Sequence, residues 1–354
     1  MFENTVNLIL NGVGRLYPGA AVAIGVKDNV YVRQVFGNRI ENPNVAPMTL
    51  DTLFDIASLS KIICTTMLTL KFIEQGRINL NDKISNYFEC AGNYSDCDIF
   101  QLLTHTSGIP AWMPLYSENS PHDVFQFILN TQKNSNSPIV DYSCLGYILL
   151  GKILEKVGGE KLDKLANEYV FSPLCMNNTC FNPDKELPIA STEKDEHTGN
   201  WLTGIVHDEN ARFLGGISGN AGVFSNLDDM IKFTKMCALK GKINNEKVFL
   251  SPEIFKKAIT NYTNDLKESR GLGFQVKGNQ DFSGGNHFSI GSFGHTGFTG
   301  TSLYIDNQTG LWSVLLTNTV HYGREHKPEF IAFRKEIHKS MLAEYISLLK
   351  EDKI

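Results

Sequence analysis

The sequence predicts an α+β protein in which a mixed sheet domain, built from both ends of the chain, carries an inserted and mostly helical domain. The chain has 354 residues, which exceeds the roughly 250–300 at which one hydrophobic core stops growing. Strand-like patterns occur near both ends, and apolar residues at helical spacing dominate the middle. We therefore predict a sheet domain at residues 1–66 and 255–354 and a helical domain at 67–254, with a cleft between them.

The N-terminal part of the chain predicts a helix followed by a β-hairpin. Apolar residues recur at helical spacing over residues 6–16. Residues 20–26 and 30–36 have the composition of strands, and the Asp28-Asn29 pair between them is a turn signal.

Helices are predicted through the middle of the chain and strands again toward its end. Residues 58–75 carry apolar side chains on more than one side of a helix, which is typical of a buried helix; they are Leu59, Ile62, Ile63, Met67, Leu68, Leu70, Phe72 and Ile73. A closing helix from about residue 329 carries its apolar residues on one stripe. Between these two, helices are expected at 98–104, 121–132, 144–157 and 227–239, and strands at 272–276, from 293, at 301–305 and at 311–316.

Composition excludes several classes of function. The chain has 33 Lys and Arg against 38 Asp and Glu, whereas a nucleic-acid binder usually has a basic stripe. No apolar run approaches the roughly 18–20 residues of a membrane-spanning helix. The N-terminus lacks a basic start followed by an apolar core, which leads us to expect a cytoplasmic protein.

The cysteines and histidines predict neither a disulfide framework nor a metal site. The seven cysteines are odd in number and scattered, which fits reduced thiols better than paired ones. Neither Cys-x-x-Cys nor His-Glu-x-x-His occurs. We expect no metal and no cofactor.

Ser58 and Lys61 form a Ser-x-x-Lys arrangement at the start of the apolar helix. A spacing of three places the hydroxyl and the amine on one helix face. Burial lowers the proton affinity of a lysine, which would let Lys61 help to activate the hydroxyl. The alternative is a surface lysine whose amine reaches solvent.

The same arrangement occurs at Ser191/Lys194 and at Ser347/Lys350. The first of these lies in a polar run and the second on the closing helix, so both are interpreted as solvated surface. Only at Ser58 does the lysine enter an apolar helix, where an unpaired amine is costly.

Residues 54–61 (FDIASLSK) resemble the first motif of the penicillin-recognising serine hydrolases, in the class C β-lactamase-like group. That group contains class C β-lactamases, DD-peptidases, D-aminopeptidases and carboxylesterases. Similarity extends in order over residues 18–338. Further matching segments are 76–82 (GRINLND), 102–110 (LLTHTSGIP), 142–147 (YSCLGY), 219–225 (GNAGVFS) and 295–297 (HTG).

The resemblance implies the fold and the catalytic roles. The fold would be β-lactamase/transpeptidase-like, with an antiparallel-sheet α/β sandwich domain, a helical domain and the active site in the cleft between them. Ser58 would be the nucleophile, and Lys61 with Tyr142 would move its proton. The backbone N–H groups of Ser58 and Phe298 would form the oxyanion hole. Tyr142 could instead be an aromatic residue that only packs before the helix at 144–157.

His295, Thr296 and Gly297 match the third motif of the group, on a strand beside the nucleophile. His295 could donate to a substrate carboxylate or to Tyr142 and could titrate near neutrality. Glycine would let a ligand approach the backbone closely. The alternative for His295 is a partly buried structural histidine.

Cys144 departs from the second motif, Tyr-x-Asn, at the position of Asn. The asparagine amide would help to hold the lysine and would bind the substrate's acyl amide, whereas a thiol is a weak donor and a weak acceptor. Ester substrates are therefore favoured over amides and β-lactams. Cys144 could instead be a reactive thiol, although we prefer a small apolar residue in a packed loop.

The segment His207-Asp208-Glu209-Asn210 also resembles one subgroup of these hydrolases, some of which act near cell-wall sugars or peptides. It could border the cleft, or it could be a turn before the helix at 227–239. We assign no chemistry to it and interpret His105 as structural.

The sequence thus predicts a serine hydrolase that acts through an acyl-enzyme on a small-molecule ester, peptide or β-lactam. An esterase or a D-amino-acid peptidase ranks above a β-lactamase because of His295, Cys144 and the N-terminus. The absence of Gly-x-Ser-x-Gly disfavours an α/β-hydrolase. A rival is a catalytically inactive relative that binds penicillin or senses a ligand.

Overall fold

A computed structural model of the protein describes residues 1–116, 123–134 and 139–351. Its α-helices are α1 Glu3–Leu10, α2 Met67–Glu74, α3 Ile99–Leu103, α4 Val124–Leu129, α5 Cys144–Gly158, α6 Leu162–Ala166, α7 Glu209–Phe213, α8 Leu227–Ala238, α9 Pro252–Ala258 and α10 Lys327–Lys350. Its strands are β1 Gly19–Val26, β2 Asn29–Ile40, β3 Ala46–Pro47, β4 Phe54–Asp55, β5 Cys180–Phe181, β6 Val223–Ser225, β7 Gln275–Val276, β8 Phe293–Thr296, β9 Ser302–Ile305 and β10 Leu311–Thr317.

Strands from both ends of the chain form one seven-stranded sheet in the order β3-β2-β1-β10-β9-β8-β7. Every neighbouring pair in it is antiparallel. Strand β1, from the N-terminal part, pairs with β10, from the C-terminal part, over the register Ala20↔Thr317 to Val26↔Leu311. The predicted α+β class and its antiparallel sheet are confirmed.

Both faces of this sheet are covered, so the inner strand β1 carries apolar residues on each side. Ala20, Val22 and Ile24 contact a core formed with α1 and α10. Ala21 and Ala23 point the other way, into the large core of the helical part. This alternation follows from the two-residue period of a strand. Strand β8, next to the edge strand β7, contacts that helical core through Phe293 and carries part of the site described below.

The apolar segment after Ser58 is helical, but its first part is wound more widely than an α-helix. Lys61–Thr66 is a π-helix, and α2 continues it. A second, three-stranded sheet in the order β4-β6-β5 leads into this segment. Wide turns of this kind often occur at functional sites.

Two predicted elements differ from the structure. The N-terminal helix ends at Leu10 and not at residue 16, because Gly14 turns the chain with φ of 76°. The strand predicted at 272–276 is reduced to β7. Its first residues are held elsewhere, since the N–H of Leu272 donates to Ala258 and that of Gly273 to Leu103.

The other predicted elements lie within a few residues of their expected positions. The helix predicted at 121–132 is described as α4, and residues 121 and 122 lie outside the described residues. In the described ranges no helix has the length and apolar character needed to cross a membrane. The domain boundaries at 66/67 and 254/255 stay a prediction.

Candidate active site

Ser58 lies in a short loop between β4 and the π-helical segment. Ala57, the residue before it, has φ of 46°, a left-handed conformation that costs energy in a residue with a side chain. The buried carboxylate of Asp55 holds this loop by accepting a hydrogen bond from the Ala57 N–H at 2.8 Å. Thr299, beyond β8, donates to the Asp55 carbonyl at 2.7 Å. These contacts fix the serine against the edge of the main sheet.

Lys61 is fully buried, with 0% of its surface exposed, and its amine has three acceptors. Nζ donates to Ser58 Oγ at 3.0 Å, to the Asn220 carbonyl at 2.8 Å and toward Cys144 Sγ at 3.5 Å. Three donors matched to three acceptors suit the charged ammonium form. The alternative of a surface lysine is wrong.

The pKa of Lys61 is raised, whereas the sequence led us to expect a lowered pKa. Burial alone would lower this pKa, but the neighbouring Cys144 and Tyr142 favour a positive charge on the amine, outweigh burial and raise the pKa above its ordinary value. Burial raises the pKa of Tyr142, and the nearby Lys61 opposes this only in part. Both groups therefore hold their protons at neutral pH. The prediction that Lys61 has a lowered proton affinity is wrong.

Tyr142 stands beside this pair. Its ring centroid lies 5.1 Å from Lys61 Nζ, and its buried hydroxyl is near enough to Ser58 and Lys61 to interact with both. The ring packs against His105 with centroids 4.5 Å apart. The Ser143 N–H, next along the chain, donates to His105 Nδ1 at 3.0 Å. His105 is thus a positioning residue for the tyrosine.

His295 is buried on β8, and its ring lies 5.8 Å from that of Tyr142. Its Nδ1 lies 2.8 Å from the Thr296 carbonyl, which can only accept, so Nδ1 carries the proton. Burial, together with Arg270 and Lys61, lowers the pKa of His295 well below its ordinary value. The neutral ring presents Nε2 as an acceptor. The expectations that His295 titrates near neutrality and donates to a substrate carboxylate are therefore wrong.

The backbone amides of Ser58 and Phe298 belong to residues that line a cavity beside the nucleophile. Ser58, Thr296, Gly297 and Phe298 all line this cavity of about 240 Å³ together with Tyr142 and His295. Neither the Ser58 nor the Phe298 N–H donates a hydrogen bond inside the described ranges. Both amides are therefore available to an oxyanion.

Gly297 is required for a reason other than the one we expected. A Cβ at this position would lie 2.4 Å from the carbonyl oxygen of Ile56, two residues before the serine. The missing side chain thus lets the end of β8 approach the nucleophile loop of the protein itself. The expected approach of a ligand is not the main constraint.

Cys144 begins α5, with its thiol half-buried beside Lys61. Its backbone N–H donates to the Ala111 carbonyl at 2.8 Å, and Ser143 caps the helix by accepting from the Gly146 N–H. The thiol therefore takes the place on Lys61 that the asparagine side chain would take in the resembling group.

Sequence reasoning missed two residues of this site. Asn220 holds Lys61 through its backbone carbonyl, and the matching segment at 219–225 was the signal that could have found it. Arg270 is 5% exposed and lies 5.1 Å from the Tyr142 ring centroid. One of its nitrogens pairs with Glu268 at 2.6 Å, while Nε and Nη1 have no partner among the described residues. No motif marks Arg270.

The segment at 207–210 contacts two residues that adjoin the site, Asp55 and Phe298. The N–H of His207 donates to Asp55 Oδ2 at 2.6 Å, and the His207 ring stacks on Phe298 with centroids 5.4 Å apart. Asp208 caps α7, and the Asn210 side chain holds the backbone around residues 113–115. These contacts place the segment at the border of the cleft.

No group of three or more His, Cys, Asp or Glu side chains suited to a metal ion occurs among the residues that the structure describes. All seven cysteines are free thiols. Of the other Ser-x-x-Lys copies, Ser347 and Lys350 are exposed as expected, whereas Ser191 is buried and only its Lys194 is exposed.

The chain is similar over most of its length to known proteins. The chain is 30% identical over 351 residues to an Escherichia coli (strain K12) protein named as a D-alanyl-D-alanine carboxypeptidase, covering 86% of this chain and 79% of that protein. It is 28% identical over 352 residues to the N-acetylmuramyl-L-alanine amidase of Bacillus subtilis (strain 168), covering 86% and 78%.

Solved structures show the same fold at lower identity. A hydrolase with promiscuous acyltransferase activity, EstCE1, superimposes with a TM-score of 0.73 at 20% identity, covering 94% of this chain and 98% of that one. A class C beta-lactamase from Rhodobacter sphaeroides gives 0.73 at 17% identity, covering 97% and 99%. The family model named Beta-lactamase matches residues 8–334. This chain therefore belongs to the beta-lactamase family.

Proposed function

We propose that the protein is a serine hydrolase that works through an acyl-enzyme on ester or amide substrates. The observation that carries this proposal is the 3.0 Å hydrogen bond between Lys61 Nζ and Ser58 Oγ. It lies at the wall of a cavity that also contains Tyr142 and the two available amides. A hydroxyl, a proton acceptor and oxyanion donors are the parts that acyl transfer needs.

The first half-reaction joins Ser58 Oγ to the substrate's carbonyl carbon. Because Lys61 already donates three hydrogen bonds as an ammonium, the Tyr142 oxygen is the group that accepts the serine proton, after its own proton has passed to solvent water. The N–H groups of Ser58 and Phe298 stabilise the oxyanion. Collapse of this intermediate expels the leaving alcohol or amine, which takes the proton back from Tyr142.

The second half-reaction uses water as the nucleophile. Tyr142 accepts a proton from water as the new C–O bond forms, and the bond between the acyl carbon and Ser58 Oγ breaks. The serine oxygen recovers its proton, and a carboxylic acid is released. His295 Nε2 can accept a hydrogen bond from the tyrosine hydroxyl or from the water.

The cavity favours substrates with a negative charge near the scissile bond. Arg270 and Arg334 line it, both are buried, and each has at least one guanidinium nitrogen without a partner in the described part of the chain. The half-buried Lys327 adds a third positive charge, opposed by the single carboxylate of Glu268. A carboxylate is the natural partner of a guanidinium.

These features rank an esterase or D-amino-acid peptidase above a β-lactamase. His295 and Cys144 replace the lysine and asparagine usual in β-lactamases. The relatives named as a carboxypeptidase and as a muramyl amidase extend the proposal to peptides and amides of the cell wall. A catalytically inactive, penicillin-binding relative is disfavoured because serine, lysine and tyrosine are all in contact range.

A substrate panel tests the proposal. It contains p-nitrophenyl esters, D-Ala-D-Ala peptides, D-amino-acid amides, N-acetylmuramyl-L-alanine and a chromogenic cephalosporin, each with wild type and Ser58→Ala. We expect short-chain ester turnover that Ser58→Ala abolishes and slow or no cephalosporin turnover. Rapid cephalosporin hydrolysis would reverse the ranking, and turnover that survives in Ser58→Ala would exclude the mechanism.

Arg270→Gln is expected to reduce kcat/KM selectively for substrates with a free carboxylate. A hydrogen bond to a charged group contributes about 1.5–3 kcal/mol, or roughly ten- to hundredfold in rate. The measurement compares an acyl-D-alanyl-D-lactate with its terminal carboxamide in both proteins. An equal fall for the two substrates would mean that Arg270 acts on Tyr142 and not on the substrate.

Cys144→Asn is expected to raise amide acylation more than ester hydrolysis. The asparagine side chain can hydrogen-bond a substrate amide, and a lost bond to a buried polar group costs about 1–3 kcal/mol. The test compares kcat/KM for acetyl-D-alanyl-D-alanine and its D-lactate ester. Cys144→Ala is the control, because it removes the thiol without adding an amide. A selective loss on amides would show that Cys144 does not set specificity.

We keep a reducing, cytoplasmic location as part of the proposal. The reason is that the Cys144 thiol lies against the catalytic pair, where its oxidation would add polar bulk to the site. Cell fractionation with an antibody to the protein tests it, and recovery outside the cytoplasm would exclude it.

A further inference from the structure

A second and larger cavity lies beside the catalytic one. Its volume is about 770 Å³, against about 240 Å³ for the cavity around Ser58. Its walls carry the aromatic rings of Tyr116, Trp201 and Phe213 together with several charged side chains. Tyr116 and Phe213 are exposed and Trp201 is half-buried.

Trp201 and His321 form a stacked pair in this cavity. Their ring centroids are 4.1 Å apart, with an angle of 24° between the planes. His321 is only 5% exposed, and its Nδ1 donates to the Thr192 carbonyl at 3.1 Å. Nε2 is then an acceptor, and it has no partner within the described ranges. Because burial also lowers the pKa of His321, this acceptor is neutral and suited to a hydroxyl group.

Several charged groups of the cavity are paired with one another, and its lining has more acidic than basic side chains because Glu196 and Glu325 are added to these pairs. Arg324 donates to Glu193 at 2.7 Å and to Glu209 at 2.8 Å, and Arg212 pairs with Asp195 at 2.6 Å. An anionic ligand would be repelled by the excess of carboxylates in this lining. A neutral ligand with many hydroxyl groups can bind to the remaining lone pairs and protons of the paired groups.

The linings of the two cavities lie close together at Phe298 and Arg324. The Phe298 side chain lines the catalytic cavity, and Arg324, which lines the larger one, lies 5.5 Å from its ring centroid. His207 stacks on the same ring, and its Nε2 donates to the Glu193 carboxylate at 2.7 Å. A substrate cleaved at Ser58 can therefore extend past Phe298 into the larger cavity.

We infer that the larger cavity binds a sugar ring of the substrate whose scissile bond lies at Ser58. The inference rests on the proposed function for the position of the bond. An aromatic ring offers a flat apolar surface to the C–H face of a pyranose, while the His321 acceptor and the paired charges meet its hydroxyl groups. Trp201 is the main contact, and His321 holds it in place.

Binding is tested first, without catalysis. N-acetylglucosamine and the methyl ester of N-acetylmuramic acid, both uncharged, are titrated into the Ser58→Ala protein, with intrinsic tryptophan fluorescence and calorimetry as the readouts. We expect saturable binding in about the millimolar range, weakened at least tenfold by Trp201→Ala and less by Trp201→Phe. Absence of saturable binding of either sugar, or equal binding by all three proteins, would overturn the inference.

Kinetics separate the two proposals. Wild type and both Trp201 variants are assayed with p-nitrophenyl acetate and with the p-nitrophenyl ester of N-acetylmuramic acid. We expect Trp201→Ala to lower kcat/KM for the sugar ester at least tenfold more than for the acetate. Equal losses would exclude the sugar site while the hydrolase proposal stands. If no Ser58-dependent turnover of either ester occurs, the proposed function itself fails, whatever the sugar titration shows.

Discussion

Lys61→Met is expected to lower kcat/KM for a p-nitrophenyl ester by about 10³–10⁴-fold. The ammonium of Lys61 lies between Ser58 Oγ and the Asn220 carbonyl. Its positive charge stabilises the tyrosine anion that accepts the serine proton. Methionine fills nearly the same volume but carries neither a charge nor hydrogen-bond donors. The Tyr142 anion therefore loses the positive charge that stabilises it, and Ser58 Oγ loses the hydrogen bond that orients it.

This loss should not come from unfolding. An apolar side chain of similar length removes the cost of burying a charge, so the melting temperature should stay close to that of wild type. Lys350→Met, in an exposed Ser-x-x-Lys copy, is the matched control and should retain full activity. If Lys61→Met keeps more than about a tenth of wild-type kcat/KM, the lysine has no part in proton transfer.

Tyr142→Phe is expected to lower kcat/KM by about 10²–10⁴-fold and to remove the rise of activity with pH. Burial raises the pKa of the hydroxyl, and Lys61 keeps its own proton. The form in which Tyr142 is deprotonated and Lys61 is protonated is therefore a minor species at neutral pH. Its population grows as pH increases. Wild-type kcat/KM should climb by up to about tenfold per unit from pH 7 upward.

The pH profile distinguishes a base from a packing residue. It is measured with an ester after subtraction of spontaneous hydrolysis. Tyr147→Phe is the control, because that neighbouring hydroxyl donates to the Leu103 carbonyl, away from the serine. A flat or falling wild-type profile, or a Tyr142→Phe profile with the same slope as wild type, would contradict this role.

Local patterns predicted the parts of the site that lie close together in sequence. Ser58 and Lys61 are three residues apart in the turn that leads into the helical segment, so local geometry alone brings them together. The strands of the sheet were predicted from alternating or fully apolar runs of residues near both ends of the chain. Tyr142 and His295 became candidates only through the resemblance, because no local pattern connects them with Ser58.

The remaining parts depend on contacts between distant segments. Asn220 reaches Lys61 with a backbone carbonyl, which any residue type could supply. Arg270 was missed because its burial and its unpartnered nitrogens are properties of the folded cavity. The direction of the Lys61 pKa was wrong for a related reason, since burial could be inferred from sequence but the opposing effects of Cys144 and Tyr142 could not.

The central claim is that Ser58 carries the acyl group during turnover. Intact-mass spectrometry and peptide mapping after reaction with a fluorescent phosphonate, or during turnover of a p-nitrophenyl ester, measure this directly. We predict one adduct, located on the peptide containing Ser58 and absent from Ser58→Ala. An adduct on Cys144, or continued turnover by Ser58→Ala with no covalent species, would contradict the account.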